Sequence, residues 1–136
     1  MDVESVRSYC RSLPHTTEQV QWGSDLVFKV GGKMYAVLPL EPAPNWMSFK
    51  CSDEEFASLI EQPGVIPAPY LARAKWVALQ TAAALPLAEV KRLLRRAHDL
   101  VLARLPKRTQ LALGGTGKTK GRKAPARLGR KAPSDS

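Results

Sequence analysis

Cysteine is scarce in this chain: its 136 residues hold two, Cys10 and Cys51. Neither sits in a C-x-x-C pair, and two thiols build no disulfide framework, which excludes a small scaffold stapled by bridges. No apolar run reaches the length needed to cross a bilayer, so no membrane insertion is predicted. No secretory signal is visible either, and none is expected. The chain opens Met1-Asp2-Val3-Glu4, acidic where a basic n-region is required. These absences predict a protein of a reducing cytoplasm with both thiols unpaired.

Histidine is equally sparse. His15 and His98 lie far apart, and neither has a second His, Cys or carboxylate at ligand spacing, so no metal site is predicted. The first helix offers Asp2 and Glu4 against Arg7 and Arg11, too few carboxylates for an iron role. There is no G-x-S-x-G, and no Cys/His pair is placed by sequence. The reading that follows is of a protein without catalytic residues and without a cofactor.

Acidic residues nearly vanish from the C-terminal end. Residues 1–106 carry twelve basic and eleven acidic residues, a net charge of +1. Residues 107–136 carry nine basic residues and one acid, a net charge of +8. The same segment has no aromatic residue, five glycines and two prolines. It cannot bury enough apolar surface to offset chain entropy, so a disordered Lys/Arg-rich tail over 107–136 is predicted, behind one folded domain over 1–106.

Within the domain, local patterns predict the elements. Val3, Val6, Cys10 and Leu13 recur at helical spacing, with Asp2 as cap and Pro14 as stop. Strand-like runs follow at Glu18 to Trp22, Leu26 to Val30 and Lys33 to Leu38, the last two joined only by Gly31-Gly32, a strong hairpin signal. Trp46 to Lys50 reads as a further strand. Ser52-Asp53-Glu54-Glu55 has the capping-box pattern, and Phe56, Leu59 and Ile60 supply an apolar stripe. Pro63-Gly64 stops that helix, and Pro67 and Pro69 keep the next stretch extended. Lys75 to Leu79 reads as a last strand. Pro86 opens the longest helix, with Lys91, Arg92, Arg95 and Arg96 facing outward, and Pro106 ends it.

Several segments resemble the YjbR/MmcQ family. Phe28-Lys29-Val30-Gly31-Gly32-Lys33-Met34-Tyr35-Ala36 is similar to its hairpin, and Phe49-Lys50-Cys51 to its central strand. Tyr70-Leu71-Ala72-Arg73-Ala74-Lys75-Trp76-Val77 resembles its Tyr-to-Trp segment, and Ala97-His98-Asp99-Leu100-Val101 its final helix. The resemblance covers roughly residues 3–105. It implies an α+β fold of two layers, an antiparallel sheet with helices packed on one face, related to the CyaY/frataxin architecture. It also implies DNA binding, from a double-wing reading of that fold.

Two further stretches carry candidate binding features. Ala112-Leu113-Gly114-Gly115-Thr116-Gly117-Lys118-Thr119 meets a permissive P-loop pattern, with Ala112 in place of the first glycine. A working P-loop needs a strand before it and a helix after it, and Lys, Arg, Gly and Pro fill the few residues that remain. A flexible linker is the preferred reading. Lys33, Lys50, Tyr70, Arg73 and Lys75 form the other feature, a tentative basic and aromatic surface for nucleic acid, with Trp76 assigned to the core because large aromatics in strands are usually buried.

The tail carries the main functional expectation. Lys118, Lys120, Arg122, Lys123, Arg127, Arg130 and Lys131 are spaced by Gly, Ala and Pro, and Gly121-Arg122-Lys123-Ala124-Pro125 recurs as Gly129-Arg130-Lys131-Ala132-Pro133. Such a segment can follow a phosphate backbone, so DNA, or else RNA, is the expected partner and the binding is largely non-specific. A protein- or ligand-binding module with a solubilising tail is the alternative. An enzyme with an unrecognised site is a third.

Overall fold

The computed structural model describes residues 1–113. The chain divides into two units, Met1–Ala103 and a second that begins at Arg104.

Short-range chemistry sets most elements of the first unit. Helix α1, Val3–Ser12, is capped by Asp2, whose carboxylate accepts from the Ser5 amide at 2.8 Å. The chain then turns into β1 (Thr16–Gln21), β2 (Asp25–Val30), β3 (Lys33–Pro39) and β4 (Met47–Lys50). Helix α2, Asp53–Leu59, carries the expected capping box: the Glu55 amide donates to Ser52 Oγ at 3.1 Å and the Ser52 amide to Glu55 Oε1 at 3.0 Å. Strands β5 (Val65–Pro67) and β6 (Trp76–Leu79) follow, and helix α3 spans Leu87–Arg104. In the second unit, helix α4 covers Lys107–Ala112, and Gln110 Nε2 donates to the Leu105 carbonyl at 2.9 Å. This helix falls at the start of the segment for which no structure is expected from composition.

The six strands form one antiparallel sheet in the order β1-β2-β3-β4-β6-β5. The protein is therefore a mixed α+β fold. Strand β5 is absent from the sequence expectation, which has only extended chain there. Three residues ending in a proline leave no periodic signal, and pairing with β6 alone makes them a strand.

The β2–β3 hairpin turns on Gly31 and Gly32, with φ of 59° and 82°. A two-residue loop with positive φ at both positions matches strand twist, and only glycine adopts it without strain. The register slips by one residue in this hairpin: Phe28 faces Ala36, while Lys29 faces Met34. The extra residue is Tyr35. Such a bulge turns two successive side chains to one side of the sheet. Tyr35 and Ala36 are both buried, Tyr35 beside Phe28 at 6.4 Å between ring centroids, while Met34 and Val37 join the opposite side.

The Tyr35 side holds the main core, and the helices are tied to it. The Tyr35 ring meets the His98 ring of α3 edge-on at 5.4 Å, and its hydroxyl donates to the Cys10 carbonyl of α1 at 3.4 Å. Helices α2 and α3 are joined by Arg96 Nε donating to Glu55 Oε2 at 3.1 Å. The other side carries a smaller cluster of Val27, Val37, Ala68, Trp76 and Ala78, with Met34, Ile66 and Leu71 packed against it. Trp76 is 4% exposed, a core residue as the sequence suggests.

Candidate nucleic-acid interface

The five candidate residues of the domain do not form one patch. Lys50 ends β4 opposite Trp76 of β6 and is buried. Its ammonium donates to the Ala74 carbonyl. The next residue repeats the gesture: the Cys51 amide donates to the Lys75 carbonyl at 2.9 Å, and its thiol donates to the same oxygen at 3.3 Å. Burial pushes the Cys51 thiol up to about 11, so it stays protonated at neutral pH. Lys50 and Cys51 thus staple the loop that leads into β6 to the end of β4.

That loop, residues 68–75, is held by a dense set of short-range bonds. The Leu71 amide donates to the Ala68 carbonyl at 3.1 Å, the Ala74 amide to Leu71 at 3.1 Å, the Lys75 amide to Ala72 at 2.9 Å and the Trp76 amide to Leu71 at 3.2 Å. A single 3₁₀ turn over Ala72–Ala74 results. Leu71 packs against the Trp76 cluster, and the neighbouring Tyr70 is thrown outward, 103% exposed with φ of 66°. A left-handed backbone at a bulky aromatic is unusual and persists only where the surroundings impose it. Arg73 is exposed on the same loop. Lys75, also left-handed at φ 62°, turns back so that its ammonium lies 4.9 Å from the Phe56 ring centre. Lys33 is exposed beside the Gly31-Gly32 turn, with β4 between its strand and β6 in the sheet. Tyr70 and Arg73 are therefore both exposed on one loop, Lys33 stands on another turn, and Lys50 and Lys75 are engaged within the fold.

The outward basic residues of α3 are largely matched by acids. Arg92 grips Glu89 at 2.7 Å, Arg95 lies 3.4 Å from Asp99, and Arg96 bonds Glu55. Lys91 rests over the Tyr9 ring at 5.6 Å. Burial raises the Glu55 carboxyl, but bonds from the Ser52 amide and Arg96 outweigh it and hold the group below its usual range. On β1, Glu18 accepts from Arg7 Nε at 3.1 Å, and that bond lowers its carboxyl likewise. Two of these pairs, Arg96–Glu55 and Arg7–Glu18, depend on the tertiary fold, which charge counting alone does not reveal. The spacing of Arg92 three residues after Glu89, and of Asp99 four after Arg95, is the one signal visible in the sequence.

Sequence reasoning also missed a buried polar cluster. Tyr35 OH and Thr16 Oγ1 lie 2.9 Å apart, His98 Nε2 is 2.7 Å from the Pro14 carbonyl oxygen and His98 Nδ1 is 3.1 Å from Asp99 Oδ1. The Pro14 carbonyl can only accept, so Nε2 is the donor there. Burial pushes the Cys10 thiol up to about 12 and raises the Tyr35 phenol, so neither offers an anionic nucleophile. The cluster pins α3 to the α1–β1 connection. Among the described residues, no group of three His, Cys, Asp or Glu side chains is placed to hold a metal ion.

The tail candidates Lys118, Lys120, Arg122, Lys123, Arg127, Arg130 and Lys131 lie outside the described residues, as does the linker expected at 112–119 apart from Ala112 and Leu113. No described helix is long and apolar enough to cross a membrane.

The YjbR family model matches residues 11–100. A crystal structure of a Deinococcus radiodurans protein with a DUF419 domain superposes with a TM-score of 0.75 at 29% identity, covering 88% of this chain and 92% of that one. A Pseudomonas syringae protein superposes with a TM-score of 0.62 at 20% identity, covering 74% and 99%, and speaks to the fold alone. A comparison with curated proteins gives no match.

Proposed function

The chain belongs to the YjbR family, and on that premise we propose that it is a cytoplasmic nucleic-acid-binding protein, directed first at DNA and largely indifferent to sequence. The finer architecture in this reading is the two-layer, frataxin-like one, with helices on one face of the sheet. No catalysis enters it.

Charge placement carries the proposal. Arginines of the domain stand beside carboxylates, Arg7 at Glu18, Arg92 at Glu89 and Arg96 at Glu55, while residues 107–136 hold nine basic residues and one acid. Phosphate affinity comes from cations able to displace condensed counterions, and those are concentrated C-terminally. Tyr70 and Arg73 add a second contact, a ring for base stacking and a cation for phosphate, displayed on one stapled loop.

The test is affinity for a mixed-sequence duplex measured against salt. The full-length protein is compared with a full-length variant in which Lys118, Lys120, Arg122, Lys123, Arg127, Arg130 and Lys131 are changed to Gln. On the order of four to six phosphate contacts give a log–log slope of about −4 to −5, and the variant loses most of it. An unchanged slope moves the reader to the folded domain. No binding by either protein at low salt overturns the proposal.

A further inference from the structure

We infer that the outer edge of β1 is a self-association surface, on which a second copy of this chain pairs antiparallel about Gln19. The two edges of the sheet are built differently. Strand β5 is three residues long and ends in Pro67, which has no amide to offer a neighbour. Strand β1 runs six residues, Thr16–Gln21, in unbroken register with β2 and with no proline, glycine or lysine to blunt it. Its only charge, Glu18, is held in an ion pair with Arg7. Among the described residues, no hydrogen bond from another segment reaches the backbone of residues 17–21 on the outer side. Apolar surface accompanies the open ladder: Val20 is 53% exposed and Trp22, at the following turn, 65%. An edge that is long and regular, with its one charge already paired, is a template for strand addition.

The pattern of side chains selects a second copy and one register. Residues directly opposite in an antiparallel pair point to the same side of the sheet. A two-fold axis normal to the sheet therefore pairs residues of equal parity, and three alignments need comparison. Centring on Glu18 sets two carboxylates face to face, which is unfavourable. Centring on Val20 leaves few strand residues in register, because Trp22 has φ of 52° and departs from the strand. Centring on Gln19 keeps residues 17–21 paired: Gln19 meets Gln19, Thr17 meets Gln21, and Glu18 meets Val20. Amide and hydroxyl groups then line one side, and no like charges face each other. The patch is small, so the dimer is weak and concentration-dependent.

Gln19→Glu tests this in the full chain. The substitution preserves shape, and it keeps the partner of Lys29, whose ammonium now donates to Gln19 Oε1 at 3.2 Å. In the dimer it sets two carboxylates on the axis. Sedimentation equilibrium should show the wild-type protein dimerising with concentration. Gln19→Glu should weaken that dimer by about fivefold or more at low salt, with an unchanged melting midpoint for the monomer. Amide exchange should slow with concentration within residues 17–21, and not at Val65 or Ile66. A protein monomeric up to its solubility limit overturns the inference. So does a dimer that Gln19→Glu leaves intact, or one whose exchange protection lies off β1.

Discussion

Lys50 and Trp76 face each other across β4 and β6, both buried, and the Lys50 ammonium donates to the carbonyl of Ala74, two residues before that tryptophan. The cation is spent on the backbone of the loop that displays Tyr70. Replacing it with Met keeps the apolar stem and removes the donor. Lys50→Met should cost about 1–3 kcal/mol in urea unfolding, the range for a lost bond to a charged donor. The salt dependence of DNA binding should not move, since no phosphate contact is removed. A flatter salt slope would show Lys50 reaching the ligand.

Trp76 fills the smaller cluster against Val27, Val37, Ala68 and Ala78. Trp76→Ala should destabilise by about 3–5 kcal/mol through the cavity it leaves. The check is chemical denaturation of the full chain with an unchanged m-value. Stability that hardly moves would place the ring outside the packed interior.

Tyr70→Ala should behave in the opposite way. The side chain is fully exposed, so its loss leaves stability within about 0.5 kcal/mol. Replacing a left-handed tyrosine with alanine leaves the backbone strain in place. Binding to single-stranded DNA should weaken by about 1–3 kcal/mol through lost stacking. Arg73→Gln should flatten the single-strand salt slope by about 0.7. Equal affinities for wild type and Tyr70→Ala would remove the loop from the interface.

Acid should unfold the domain through its paired carboxyls. Glu18, Glu55 and Glu89 all sit below the ordinary glutamate value of 4.5 in the folded state. The unfolded chain thus takes up protons first as pH falls. The stability these groups contribute is complete above about pH 4.5 and is lost as pH drops through their lower folded-state values. Arg7→Gln should shrink this acid loss, because the bond that lowers Glu18 is gone. The measurement is unfolding free energy from pH 7 down to pH 3 for both proteins. Identical acid limbs would show that the Arg7–Glu18 pair contributes nothing.

Much of the fold was legible because its signals are local. Asp2 and Ser52 cap helices through amides three residues away, and Gly31-Gly32 closes its hairpin with no help from elsewhere. Each needs only a few neighbouring residues and ordinary backbone sterics. The candidate site was legible in part. Tyr70 and Arg73 stand exposed as a surface requires, but Lys50 and Lys75 do not, although all four read alike as polar or aromatic residues near strand ends.

Composition and short-range pattern by themselves determined most of the helices and strands, though not β5 or α4, the near-neutral charge of residues 1–106 and the basic charge of residues 107–136. The tertiary structure decided which side chains meet. His98 finds the Pro14 carbonyl 84 positions away, Arg96 finds Glu55 at 41, and Lys50 finds Ala74 at 24. Strand β5 exists because β6 offers it a ladder, and Tyr35 faces the helices because a one-residue bulge turned it there. The physical reason is range. Caps and turns are settled within a few residues, whereas burial and ion pairing depend on strand register. A slip of one residue sends every side chain of a strand to the other face.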